Sequence, residues 1–89
     1  MDSMKKAVDR YPHSGTGLDS LLDLWKVTPD DDNDMPFVSR ALCVTTAGEF
    51  HLKTFRGTDI TVTLAEGWHP IRVSRVYASG TTGTCIAGD

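Results

Sequence analysis

The densest set of oxygen ligands in the chain is Asp30-Asp31-Asp32-Asn33-Asp34. Asp30, Asp32 and Asp34 match positions 1, 3 and 5 of a calcium loop, where carboxylates wrap a hard cation. The rest of the loop fails: Met35 stands where the turn needs Gly, and Ala41 where a bidentate Glu is required. The expectation is a solvated loop of mutually repelling carboxylates. His13, His51 and His69 have no metal-ligand spacing and no HExxH surrounds them. His51 alternates with Phe50 and Leu52, which predicts an exposed strand position. There is no GxSxG elbow, and Gly80-Thr81-Thr82-Gly83-Thr84 lacks the Lys of a phosphate loop, so it reads as a hairpin turn. Cys43 and Cys85 lie 42 residues apart and form neither a CxxC motif nor a close ligand pair. A small secreted scaffold normally carries more disulfides. The two are expected to be reduced and mostly buried, with a single bridge left open by sequence alone. No nucleophile–base or metal set emerges, so neither catalysis nor a cofactor is expected.

Aromatic and basic residues offer a different chemistry, that of contact. Trp25, Phe37 and Trp68 each flank a Pro or a turn. One reading makes them lids over sheet ends; the other makes them subunit or partner contacts, where aromatics and Arg concentrate binding energy. Trp68, His69, Arg72 and Arg75 are close in sequence and join Trp25 and Phe37 as candidate contacts. Arg72 alternates with Ile71 and Val73, whereas Arg75 shares their parity, so Arg75 is either paired inside or displaced by a bulge.

These side chains need a scaffold, and 89 residues supply one domain. A folded monomer of 9.7 kDa buries roughly 64% of the surface its unfolded chain exposes. That allows a thin core and no enclosed substrate cavity. The chain has no apolar run long enough to cross a membrane as a helix. Asp2 and Ser3 follow Met1 without an apolar stretch, so no secretory signal is expected. A net charge of −3 argues against a general nucleic-acid binder.

Composition shifts near residue 35. Residues 1–34 hold eight acids and four bases, and residues 35–89 hold four acids and five bases. Residues 1–20 read as an N-terminal arm, and 21–89 as a β domain with an acidic loop at 29–35. A short helix at 1–10 would lack an apolar stripe. Leu18, Leu21, Leu22 and Trp25 have helical spacing, while Leu22 to Thr28 also suits a strand; pattern alone leaves both open. From Phe37 onward, 17 of 53 residues are Val, Ile or Thr, which favour pleated surfaces. Strands are predicted at 37–45, 49–55, 60–64, 70–78 and 84–87, with Ile60, Val62 and Leu64 inward. The fold class is all-β: a small antiparallel sandwich or barrel of five to seven short strands.

Three segments resemble a known family. They are Val27-Thr28-Pro29-Asp30, the stretch RALCVTTAG at 40–48, and PIRVSRVYASGTT at 70–82. In this order and spacing they resemble the head spike base proteins of tailed phages and of phage-like gene transfer agents. The resemblance covers residues 27–88. The family often has an aromatic residue where Cys43 stands. The resemblance implies a non-enzymatic virion protein on the capsid exterior, assembled in the host cytoplasm. It implies a ring at fivefold vertices, with a pentamer favoured, that binds major capsid protein and supports a spike fibre protein. No direct nucleic-acid or membrane contact is implied. The alternatives are a capsid decoration (cement) protein and a small β-barrel ligand-binding module. The last would need Trp68, Arg72 and Arg75 to cluster at the surface.

Overall fold

A computed structural model describes Ala7, Val8 and residues 21–89, which fold into two antiparallel sheets; no helix occurs among these residues. The strands are β1 (Leu24–Lys26), β2 (Ala41–Thr46), β3 (Gly48–Thr54), β4 (Asp59–Leu64), β5 (Gly67–His69), β6 (Val73–Val76) and β7 (Thr84–Gly88). One sheet has the order β1-β7-β2-β5 and the other β4-β3-β6. The all-β sandwich expected from the Val, Ile and Thr content is the fold observed.

Alternation along each strand makes the core. Leu42 and Val44 of β2 point inward with Cys85 and Ala87 of β7, and meet Phe50 and Leu52 of β3 and Val73 and Val76 of β6. Trp25, Val27, Val62, Leu64 and Ile71 close the margins of this cluster. Val62 and Leu64 thus face inward as predicted. Ile60 does not become covered: it is 45% exposed, because β4 is the outermost strand of its sheet.

Several boundaries move for identifiable reasons. Residues 21–26 are extended rather than helical: Leu22 N and Asp23 N donate to Asp89 O, and β1 pairs with β7 through Trp25 and Ala87. Cross-strand bonds satisfy this backbone, and an isolated two-turn helix could not compete. Residues 37–40 do not yet belong to β2. Ser39 N donates to Val73 O and Arg40 N to Gly88 O, so the chain here stitches one sheet to the other. The long strand predicted at 70–78 is only β6, since residues 70–72 bridge from β5 in the other sheet. Gly67, at φ 120°, opens the unforeseen β5.

The 80–84 segment is not a hairpin, because β6 and β7 lie in different sheets. It crosses between them, and Gly83 makes the crossing feasible. A Cβ there would sit 2.5 Å from both Phe50 Cζ and Thr46 O. The cysteines stay free. Cys43 pairs with Ile86 while Val44 pairs with Cys85, so the two thiols point to opposite faces of the same sheet.

The acidic loop is not a set of repelling carboxylates. Asp30 Oδ1 accepts from Asp32 N and Asn33 N, and these donors hold the Asp30 carboxyl below its ordinary range, with the Asp32 amide contributing most. Asp31 Oδ1 accepts from Ser79 N at 2.9 Å. The loop backbone runs along β6, with Asp30 N donating to Val76 O and Met35 N to Ser74 O. The segment is therefore a strap over the β6 edge. Val8 joins its far end through a parallel bridge to Phe37. The arm assigned to residues 1–20, the helix considered at 1–10 and His13 otherwise lie outside the described residues.

Candidate functional site

The two sheets differ in what they turn outward. On the three-stranded sheet the outward residues of β3 are Glu49, His51 and Lys53, opposite Thr63, Thr61 and Asp59 of β4. His51 stacks on Tyr77 at 4.1 Å, and its Nδ1 lies 2.9 Å from Ser79 O. It is therefore half-buried rather than freely exposed. Tyr77 Oη donates to Asp59 Oδ1 at 2.6 Å, a bond that raises the phenol pKa. This face is polar and internally bonded.

The four-stranded sheet turns a different row outward. Register places Lys26, Ile86, Cys43 and Trp68 side by side across β1, β7, β2 and β5. Three of these four are apolar or weakly polar, and Trp68 is 46% exposed. A second row runs Leu24, Gly88 and Ala41, of which Gly88 and Ala41 are buried. Leu24 is 52% exposed and the neighbouring Leu22 70%. The exposed apolar members, Leu22 and Leu24 at one end and Trp68 at the other with half-buried Ile86 and Cys43 between them, make a candidate contact surface.

The candidate contact residues separate into distinct places. Trp25 points to the core side of β1 and meets Phe37 edge-to-face at 5.7 Å. Its Nε1 is buried with no acceptor. Trp68 lies on the outer face, while His69 shares the inner side with Leu42, and its Nε2 lies 2.7 Å from Ala65 O. Arg72 sets its guanidinium over the Phe55 ring at 4.9 Å, at the β3–β4 turn. Arg75 is buried: Nε donates to Asp34 Oδ1 at 2.8 Å and Nη1 to Asp31 O at 3.1 Å. Its guanidinium also lies 5.5 Å from the Tyr77 ring centre. Of the two placements open to Arg75, the bulge is the one observed: a register shift at Lys53/Thr54 sets Arg75 opposite the outward Lys53 while Val73 and Val76 stay in the core, and the strap then covers and pairs it. Trp68, Arg72 and Arg75 therefore make no common surface. Asp34 Oδ2 accepts from Ala7 N, so the same carboxylate ties the strap to the N-terminal segment.

The outer row escaped the sequence because its members come from four strands whose order was unknown. The alternation of Cys43 with Leu42 and Val44 was the available signal. Among the described residues no group of three or more His, Cys, Asp or Glu is arranged to hold a metal.

A solved chain from the capsid of a native gene transfer agent (GTA) particle, computed with C5 symmetry, matches this fold with a TM-score of 0.76. The two are 31% identical, and the match covers 92% of this chain and 100% of that one. The chain belongs to the phage-like capsid-associated proteins. No protein-family model matches it, and no curated protein does.

Proposed function

We propose that this virion protein is a head spike base, a ring on the capsid exterior at a fivefold vertex that anchors to major capsid protein and supports a spike fibre. The observation that carries the proposal is the end-to-end match to a chain from a GTA capsid computed with C5 symmetry. The two-faced sandwich agrees with it: a ring subunit needs one surface for partners and can leave the other in solvent. The role is structural and uses no cofactor. The particle would be put together in the host cytoplasm.

Cosedimentation of the purified protein with capsids, followed by copy-number measurement per particle, tests the proposal. Five copies per occupied vertex are expected, together with recruitment of the fibre. Copies at local threefold sites would make it a decoration protein instead. A strict monomer that never binds capsids would sink both readings.

A further inference from the structure

We infer that neighbouring copies join by strand pairing, with the open edge of β4 on one copy set antiparallel to β1 of the next in the register Asp59↔Lys26 and Thr61↔Leu24. This rests on the ring reading above and specifies its contact.

The edges of the two sheets are not equivalent. The β6 edge is closed by the strap, which donates to the Val76 and Ser74 carbonyls, and by Ser39 beyond it, which donates to Val73 O. β4 has no such cover: no described residue donates to or accepts from its outer backbone groups. Its sequence Asp-Ile-Thr-Val-Thr-Leu has no Pro, Lys or Gly to discourage pairing. An uncovered strand of six residues is a template for another strand.

Backbone direction decides which residues on β4 are free to pair. Tyr77 N donates to His51 O, so the His51 backbone points toward β6. Strand backbones alternate sides residue by residue. His51 faces Thr61, and hence Asp59, Thr61 and Thr63 turn their amides and carbonyls to the open edge. The same logic applies to β1. Asp23 and Val27 bond toward Asp89 and Cys85, which leaves Leu24 and Lys26 pointing away from β7. Leu24 N has only the local carboxylate Asp23 Oδ1, at 2.9 Å.

Three independent conditions then meet in one register. The free backbone groups of Asp59 and Thr61 face those of Lys26 and Leu24. Side chains fall on matching faces: Asp59 and Thr61 point outward from their sheet, as do Lys26 and Leu24 from theirs. The charges of Asp59 and Lys26 are opposite. The same register sets Ile60, 45% exposed, beside Trp25 on the inner side. Moving the pairing by two residues keeps the backbone and faces but loses the charge pair. The β5 edge fails: His69 shares the inner side of its sheet, so it cannot oppose the outward Asp59. A contact between two different edges is heterologous, and such contacts close into rings when the rotation allows.

Disulfide trapping tests the register. Thr61→Cys and Leu24→Cys are placed in one chain that also carries Cys43→Ala, and the assembled protein is oxidised. Paired residues in this geometry have Cα atoms about 5.5 Å apart, inside the range a disulfide accepts. A covalent ladder ending at the ring size is expected, whereas a mixture of the two single variants should stop at dimers. A separate pair of variants reads the charge: Lys26→Asp shifts the assembly toward monomer, and adding Asp59→Lys shifts it back. A ring that forms without the ladder, or a ladder from Thr61→Cys with Trp68→Cys, overturns the pairing and leaves the ring reading standing. If no ring forms with or without capsids, both fall.

Discussion

The two sheets obey the same alternation yet present opposite exteriors. Outside the three-stranded sheet, Glu49, His51, Lys53, Thr61 and Asp59 form a polar face stitched by the Tyr77–Asp59 and His51–Ser79 contacts. Outside the four-stranded sheet, Ile86, Cys43 and Trp68 line up with Lys26 at the end of their row, and Leu24 stands exposed beside it, so this face is the more apolar one. Their edges contrast as well: β6 is strapped and β4 is open. A small sandwich needs one apolar face per sheet for its own core. A second apolar face adds nothing to the core of an isolated monomer, which makes the outer row of the four-stranded sheet the surface to test for partner contact. This difference can be broken at the strap, at the outer row and at the two thiols.

The largest effect is expected at the strap. Arg75 is nearly buried, and its partner Asp34 is only slightly more open, at 7% and 12% side-chain exposure. Asp34→Ala leaves the guanidinium with the Asp31 carbonyl alone and also removes the acceptor for Ala7 N. Breaking such a buried pair costs about 3 kcal/mol, which urea denaturation would read directly. Asp32→Ala, an exposed change in the same loop, should cost less than about 0.5 kcal/mol. Equal effects of the two would mean that the strap is held by its backbone bonds and not by Arg75.

The outer row should separate folding from assembly. Trp68→Ser removes a side chain already half in solvent, so the monomer should lose only about 0.5–1 kcal/mol. If Trp68 anchors a partner, binding to capsids or neighbours should weaken by tenfold or more, the scale of an interface hot spot. Glu49→Ala, on the polar face and away from the β4 edge, should move neither quantity. A capsid-binding loss from Glu49→Ala with none from Trp68→Ser would reverse the assignment of the two faces.

How far the sequence revealed this contrast depends on how local each signal was. Ile60-Thr61-Val62-Thr63-Leu64 announced a strand because its alternation is contained in five residues. Phe50 and Leu52 announced a core face for the same reason. What could not be read was which strand lies beside which. The outer row unites residues 26, 43, 68 and 86, and only the order β1-β7-β2-β5 brings them together. The strap was misread for a related cause: four Asp in five positions look repulsive until Arg75, Ser79 and the loop amides arrive from elsewhere to bond them. Arg75 itself was half legible: the bulge that turns it away from Val73 was one of two open readings, and its partner Asp34 was not visible. Trp25 stands in the middle of β1 and not at a turn, and its contact with Phe37 depends on the chain fold between them.

The smallest and most selective probe is the pair of thiols, which sample the two sides of one sheet. Cys43 lies in the outer row and is half-buried, while Cys85 points into the core. Burial pushes the Cys85 thiol up from 9.0 to about 11, with a lesser contribution from Cys43. The reactive form is the thiolate, so at pH 8 an alkylating reagent should modify Cys43 and spare Cys85. A raised folded-state value contributes stability that is fully present below the unfolded value. It is lost as pH rises through the interval from 9.0 to about 11. Alkaline titration should therefore weaken the fold over that window, and Cys85→Ala should flatten this component while Cys43→Ala leaves it in place. Assembly adds the decisive comparison. If the outer row meets a partner, Cys43 should become protected in the capsid-bound protein at the same pH. Labelling of Cys43 at an unchanged rate on the particle would mean that the outer row stays open to solvent, and the contrast between the two faces would then need another cause.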